Sequence, residues 1–149
     1  MKMYAVRVTT GKEKEVAQLL KKLGIEIFLP EETRYHRRGG ESHYDRYILF
    51  PGYVFIYLNL TEKMYYKIKN TTHVIYILKP HEVTPLSEED KENVMFFSNG
   101  GKPIPVLKSL DDEFLKRFNI KSIDKRQNRV KVECVICGEK KQIILSCKF

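Results

Sequence analysis

Tyr47-Ile48-Leu49-Phe50-Pro51-Gly52-Tyr53-Val54-Phe55-Ile56-Tyr57-Leu58-Asn59-Leu60 is the apolar centre of the chain, and its reading decides the fold. Aromatic and β-branched residues fill a strand, and Pro51-Gly52 interrupts one, so the stretch predicts a long central strand with a bulge or kink. At period two, Tyr53 and Phe55 share one face of that strand, with Tyr57 as a neighbour.

Outward toward the N-terminus, residues 31–46 carry Arg34, His36, Arg37, Arg38, Gly39, Gly40, His43 and Arg46 without an apolar period, and predict a basic loop or loose hairpin. Before it, Ile25, Ile27 and Leu29 alternate up to Pro30 as a second strand. Val16, Leu19, Leu20 and Leu23 form one helical face, opened by Thr10-Gly11-Lys12-Glu13 at capping-box spacing and closed by Gly24. Residues 3–8 alternate Tyr4, Val6 and Val8 against Met3, Ala5 and Arg7, which predicts the first strand.

Outward toward the C-terminus, Thr61 opens a helix with Met64, Tyr65 and Ile68 on one face and Asn70 at its end; residues 74–78 read as a strand. Ser87-Glu88-Glu89-Asp90 opens a further helix, stopped by Asn99-Gly100-Gly101. The order β-α-β-β-α-β with an added helix predicts an α+β chain whose first domain, residues 1–101, is ferredoxin-like with a four-stranded antiparallel sheet. Lys102-Pro103-Ile104-Pro105 predicts an extended linker over 102–110, and residues 111–149 a small β module: one short helix over 111–118 and strands over 119–124, 129–136 and 142–146.

The formal net charge is +8, unevenly spread. Residues 1–100 hold 15 Lys and Arg against 13 Asp and Glu, and residues 101–149 hold 12 against 6. That concentration points to RNA or DNA, because neutralising phosphates releases counterions whatever the sequence. No apolar run reaches the roughly 20 residues of a membrane span and the N-terminus has no signal-peptide core, so a soluble, cytoplasmic protein is expected.

The residues exclude the common catalytic constellations. His36, His43, His73 and His81 are scattered, with no HExxH pair, and neither a G-x-S-x-G elbow nor a phosphate loop occurs. No enzyme activity, cofactor or metal is expected. Cys134-Val135-Ile136-Cys137 has the spacing of a zinc knuckle, but only Cys147 stands near it, and Cys134 keeps the strand register of Val130, Val132 and Ile136. A free or buried thiol is the expectation.

Phe50-Pro51-Gly52-Tyr53-Val54-Phe55, preceded by Ile48-Leu49 and a basic Gly-Gly loop and set after the Thr10-Gly11-Lys12-Glu13 helix start, resembles the NusG family over residues 3 to 98, with Pro30 and Asn70-Thr71-Thr72 also in place. The arginine-rich loop and the FPGYVFIYL strand look more like its specialised paralogues, of LoaP and RfaH type. The resemblance implies a transcription elongation or antitermination factor that docks an aromatic depression on the β′ clamp helices of bacterial RNA polymerase, spans the cleft and suppresses pausing or termination. Tyr53, Phe55, Tyr4, Tyr57 and Phe50 would carry the docking, and Thr71, Thr72 and His73 would meet the β gate loop. An RNA hairpin or the non-template DNA strand would lie on Lys12, Lys14, Arg34, Arg37, Arg38 and Arg46, or on Lys125, Arg126 and Arg129.

The C-terminus departs from the family pattern. A KOW domain normally follows and opens with V-x-V-x-x-G-P-F/L-x-G, which is absent; Phe118 to Glu133 resembles only its second half. The module reads as a truncated KOW, and the missing opening puts in doubt the ribosome and elongation-factor contacts the family implies. Seven cations against one acid, Asp124, in residues 116–131 still favour nucleic acid. Two rivals remain: a free-standing RNA-binding module, which lacks the RNP aromatic pattern, and an acylphosphatase-type enzyme, which lacks an arginine loop after strand one.

Overall fold

The computed structural model describes residues 1–77, 83–116, 118–136 and 139–148, with the side chains of Arg37 and Phe114 outside the description. The expectations that fall on Leu78, His81, Arg117, Cys137 and Gly138 therefore lie outside the described residues.

Strand β1 (Lys2–Val8) is followed by α1 (Glu13–Lys22) and β2 (Glu26–Phe28), then by β3 (Glu31–Arg38), β4 (Glu41–Ile48) and β5 (Tyr53–Leu58). Helix α2 (Glu62–Lys69), β6 (Val74–Ile77) and α3 (Glu88–Ser98) complete the first part. The order β2-β5-β1-β6, antiparallel throughout, is the four-stranded sheet of a split βαβ fold. Alternation along β1 and β5 sends Val6, Val8, Val54, Ile56 and Leu58 to one face, where they pack with Val16, Leu20 and Ile68 of the two helices. Met3, Ala5 and Phe55 point to the other face and join Val94 and Phe97 of α3.

Residues 47–60 are not one kinked strand. Two strands in separate sheets meet at a turn in which the Tyr53 amide donates to the Phe50 carbonyl at 3.2 Å. Gly52 sits there at φ 85°, so proline followed by a left-handed glycine makes the signature of a type II turn, which breaks the ladder instead of bulging it. The basic loop is likewise more regular than expected. β3 and β4 pair over eight residues each, and Gly39 and Gly40, both at positive φ, form the two-residue connection whose twist matches a hairpin.

The start of α1 differs from the expected capping box. Thr10 makes no cap; the buried Glu13 carboxylate accepts from the Gly11 amide at 2.7 Å and from the Gly52 amide at 2.9 Å. One side chain thus ties the helix start to the Pro51-Gly52 turn. Thr61 and Ser87 do cap α2 and α3, accepting from Met64 N and Asp90 N.

Helix α4 is a single turn, Glu113–Lys116, shorter than the sequence predicts. β7 (Asn119–Asp124), β8 (Arg129–Ile136) and β9 (Glu139–Ser146) form a three-stranded antiparallel sheet, β9 starting three residues early because Glu139, Lys140 and Lys141 pair with Ile136, Val135 and Cys134. Its inner face, Val130, Val132, Cys134, Ile136, Ile143 and Leu145, lies in the same core as Met3, Ala5 and Phe55. The segment expected as a linker is extended, but it is bonded on both sides. Ile104 exchanges backbone hydrogen bonds with Glu31 and Thr33 at 2.8 Å, Leu107 does so with Ser146 and Lys148 at 2.8 Å, and both side chains are fully buried. Two apolar residues spaced by three convert a tether into a stitch between hairpin and C-terminal sheet. Among the described residues no helix is long and apolar enough to cross a membrane.

Candidate functional site

Two regions gather the residues singled out by sequence. The first is the aromatic face of β5. Tyr53, Phe55 and Tyr57 share that face as expected, and the Tyr53 and Phe55 rings stack 6.5 Å apart. Phe50, carried in by the type II turn, meets Phe55 edge-on at 5.7 Å and Phe97 at 5.9 Å. Tyr4 does not belong with them. It is on the even side of β1 and packs against the core beneath α1 and α2, so strand parity puts a sheet between it and Tyr53.

This face is covered. Phe55 is 1% exposed and Phe50 5%, and Ile136, Glu139 and Lys141 of the C-terminal sheet close over Phe50, Tyr53 and Phe55. Tyr53 lies between two cations, the Arg7 guanidinium and the Lys141 ammonium, each 5.0 Å from the ring centre. Burial works against the Lys141 charge, but the Glu139 carboxylate at 3.1 Å and the Tyr53 hydroxyl outweigh it and raise the pKa above its ordinary value. Tyr57 stays half-buried, with Lys91 Nζ 4.9 Å from its ring.

Thr71, Thr72 and His73 form the turn between α2 and β6. The Thr71 hydroxyl donates to the Lys67 carbonyl at 2.9 Å, Thr72 is exposed, and His73 takes a left-handed φ of 70°. His73 Nε2 approaches Glu15 at 3.7 Å, and Lys12 pairs with the same carboxylate at 3.8 Å, so this turn and the start of α1 make one polar surface.

The second region joins the two basic clusters that the sequence keeps apart. β3 runs beside β9, and the Tyr35 amide donates to the Ser146 hydroxyl at 3.4 Å. Arg34 donates to Glu32 and lies 4.1 Å over the Tyr47 ring; Arg129 donates to Ser146. Both guanidinium groups, with Lys131, Gln127 and Asp124, line one cleft, and Arg126 stands on its continuation. Arg38 and Lys125 are exposed at the tips of the hairpin and of the β7–β8 turn. Lys14 and Arg46 lie elsewhere, both on Glu31, at 3.7 and 3.4 Å.

Sequence reasoning missed Glu32, which is 1% exposed. Burial raises its carboxyl pKa above the ordinary 4.5, against the Arg34 hydrogen bond and the charges of Arg34 and Arg129. The period of the hairpin could have found it, since Glu32, Arg34 and His36 share one face once β3 is read as a strand. Cys134 and Cys147 are buried on the inner sheet face, and burial together with the negative Asp112 raises the Cys147 pKa.

The family model described as transcription termination factor nusG matches residues 1–95. The transcription termination/antitermination protein NusG of Buchnera aphidicola from Acyrthosiphon pisum is 26% identical over 158 residues, covering 91% of this chain and 87% of its own. That of Chlamydia trachomatis is 29% identical over 103 residues, 63% of this chain and 57% of its own. A solved structure concerning domain interaction in Thermotoga maritima NusG superposes with a TM-score of 0.64 at 20% identity, over 97% of this chain and 93% of that one, and shares the fold.

Proposed function

Because the chain belongs to the NusG family, we propose that it is a transcription termination or antitermination factor that docks on the β′ clamp helices of bacterial RNA polymerase, spans the cleft and contacts nucleic acid to suppress pausing or termination. The observation that carries the docking is the row of Tyr53, Phe55 and Tyr57 on the sheet face opposite α1 and α2, backed by Phe50. Concentrated aromatic rings on a rigid strand are what a protein hot spot needs, since most of the binding energy then comes from a few desolvated side chains.

For that face to receive a helix tip, the C-terminal sheet must first leave it. Tyr53 and Tyr57, half-buried at the rim, are the residues met first, and Phe55 follows once β8 and β9 have moved. Thr71, Thr72 and His73 face outward beside the start of α1 and support the reading that they meet the β gate loop. The protein acts by binding, without bond-making chemistry, in the cytoplasm. The arginine-bearing hairpin supports the further reading of a specialised paralogue, of LoaP or RfaH type.

Capture of the full chain by a clamp-helix fragment of β′ tests the docking. Tyr53→Ala removes a rim ring at little cost to the core, and is expected to lose capture while circular dichroism stays unchanged. Ile136→Asp, which puts a charge into the covering sheet, is expected to increase capture. Undiminished capture of folded Tyr53→Ala refutes the docking.

A further inference from the structure

We infer that the cleft between the β3–β4 hairpin and the β7–β8 turn binds the sugar-phosphate backbone of a single nucleic-acid strand. The inference rests on the proposed nucleic-acid contact and applies to the closed chain, before the C-terminal sheet leaves the aromatic face. Two hollows of about 420 and 410 Å³ share Gln127 and Arg129 as a common wall, and so make one trough. Arg34 and Lys131 line one end, Arg126 and His36 the other. Of the acids on this surface, Asp124 accepts from the Gln127 amide at 3.1 Å and Asp45 lies 3.0 Å from His36 Nε2. Arg34, Arg126, Arg129 and Lys131 thus place four cations along these adjoining hollows.

The cations are held in place before any ligand arrives. Glu32, buried behind Arg34, fixes that guanidinium, and the Tyr47 ring supports its flat side. Ser146 is buried too, takes the Arg129 guanidinium on its hydroxyl, and is anchored by the Tyr35 amide. Planar guanidinium groups set in this way present two donors each to a phosphate without first losing side-chain freedom. Lys131 is half-buried and Arg126 exposed, which leaves their charge available at the mouth.

Aromatic rings adjoin the trough and favour a single strand over a duplex. Tyr35 and Tyr44 lie 5.4 Å apart on the hairpin, Tyr44 is 53% exposed, and Lys148 stands over both rings. His36 and His43 stack at 5.9 Å on the opposite face of the hairpin, the one that carries Arg34. Unpaired bases can lie on the His36 and His43 rings while the phosphates follow the cations, whereas paired bases cannot reach them.

Fluorescence anisotropy of the full chain with labelled single-stranded oligouridylate, oligothymidylate of equal length, and a DNA duplex decides the matter. The double variant Arg126→Glu, Lys131→Glu is expected to weaken binding of either single strand by roughly tenfold or more and to lower the salt slope by about 1.4, two contacts at about 0.7 each. Lys21→Glu with Lys22→Glu makes the same charge change on α1 and is expected to leave the slope unchanged. Equal losses in the two double variants, no loss in the first, or duplex binding as tight as that of the single strands overturns the inference. A preference for oligouridylate over oligothymidylate, lost in the first variant, supports it and identifies the strand as RNA.

Discussion

Replacing Glu13 by Ala separates the observed start of α1 from an ordinary capping box. Glu13 is 4% exposed, and its two oxygens take the amides of Gly11 and Gly52. The Gly52 amide is buried, so without Glu13 it has no water to turn to, and losing a charge-assisted bond of that kind costs about 2 kcal/mol. The Gly11 amide is exposed and recovers a water; with the lost carboxylate at the helix start, it adds about 1 kcal/mol. The expected total is about 3 kcal/mol. With a urea dependence of about 2 kcal/mol per molar for a chain of this size, the unfolding midpoint falls by about 1.5 M. Glu13→Gln keeps one acceptor and sets an NH₂ against the other amide, so it falls between the two. Glu15→Ala, which removes only exposed contacts with Lys12 and His73, sets the baseline at under about 0.5 kcal/mol. If Glu13→Ala unfolds within about 0.5 kcal/mol of Glu15→Ala, the carboxylate does not join helix and turn, and the reasoning fails.

Glu32→Gln tests the buried carboxyl by its pH dependence. A carboxyl pKa raised by folding makes the native state less stable as pH climbs from the ordinary 4.5 through the raised value, so the variant gains stability relative to the wild type over that window; a difference independent of pH refutes the assignment. Ile104→Ala empties a fully buried site where the stitch meets the hairpin, and is expected to cost about 3 kcal/mol, a fall in Tm of roughly 10 °C by calorimetry. A loss below about 1 kcal/mol would mean that the segment is a tether after all.

The four-stranded sheet and its two helices were legible because period two and period 3.6 were clean. Met3, Ala5, Val6 and Val8 sort themselves to opposite faces, as do Val54 and Phe55. The hairpin was legible only as one of two readings, a loop or a loose hairpin, because its strands are mostly exposed and their charges hide the period; Gly39-Gly40 was the signal that decides between them. Of the candidate residues, Tyr53, Phe55 and Tyr57 fall together as parity requires, while Tyr4 falls behind the sheet.

By itself the sequence determined the split βαβ order and the basic excess of the C-terminal third, both of which rest on neighbours within a few residues. The tertiary structure alone decided that the C-terminal sheet covers the aromatic face, that Ile104 and Leu107 stitch it to the hairpin, and that Arg34 and Arg129 share one cleft. Those contacts join residues about 40 to 110 positions apart, where no local period reaches. They are chosen by which apolar faces remain unburied after each sheet has formed, a global demand of packing that the order of residues does not display.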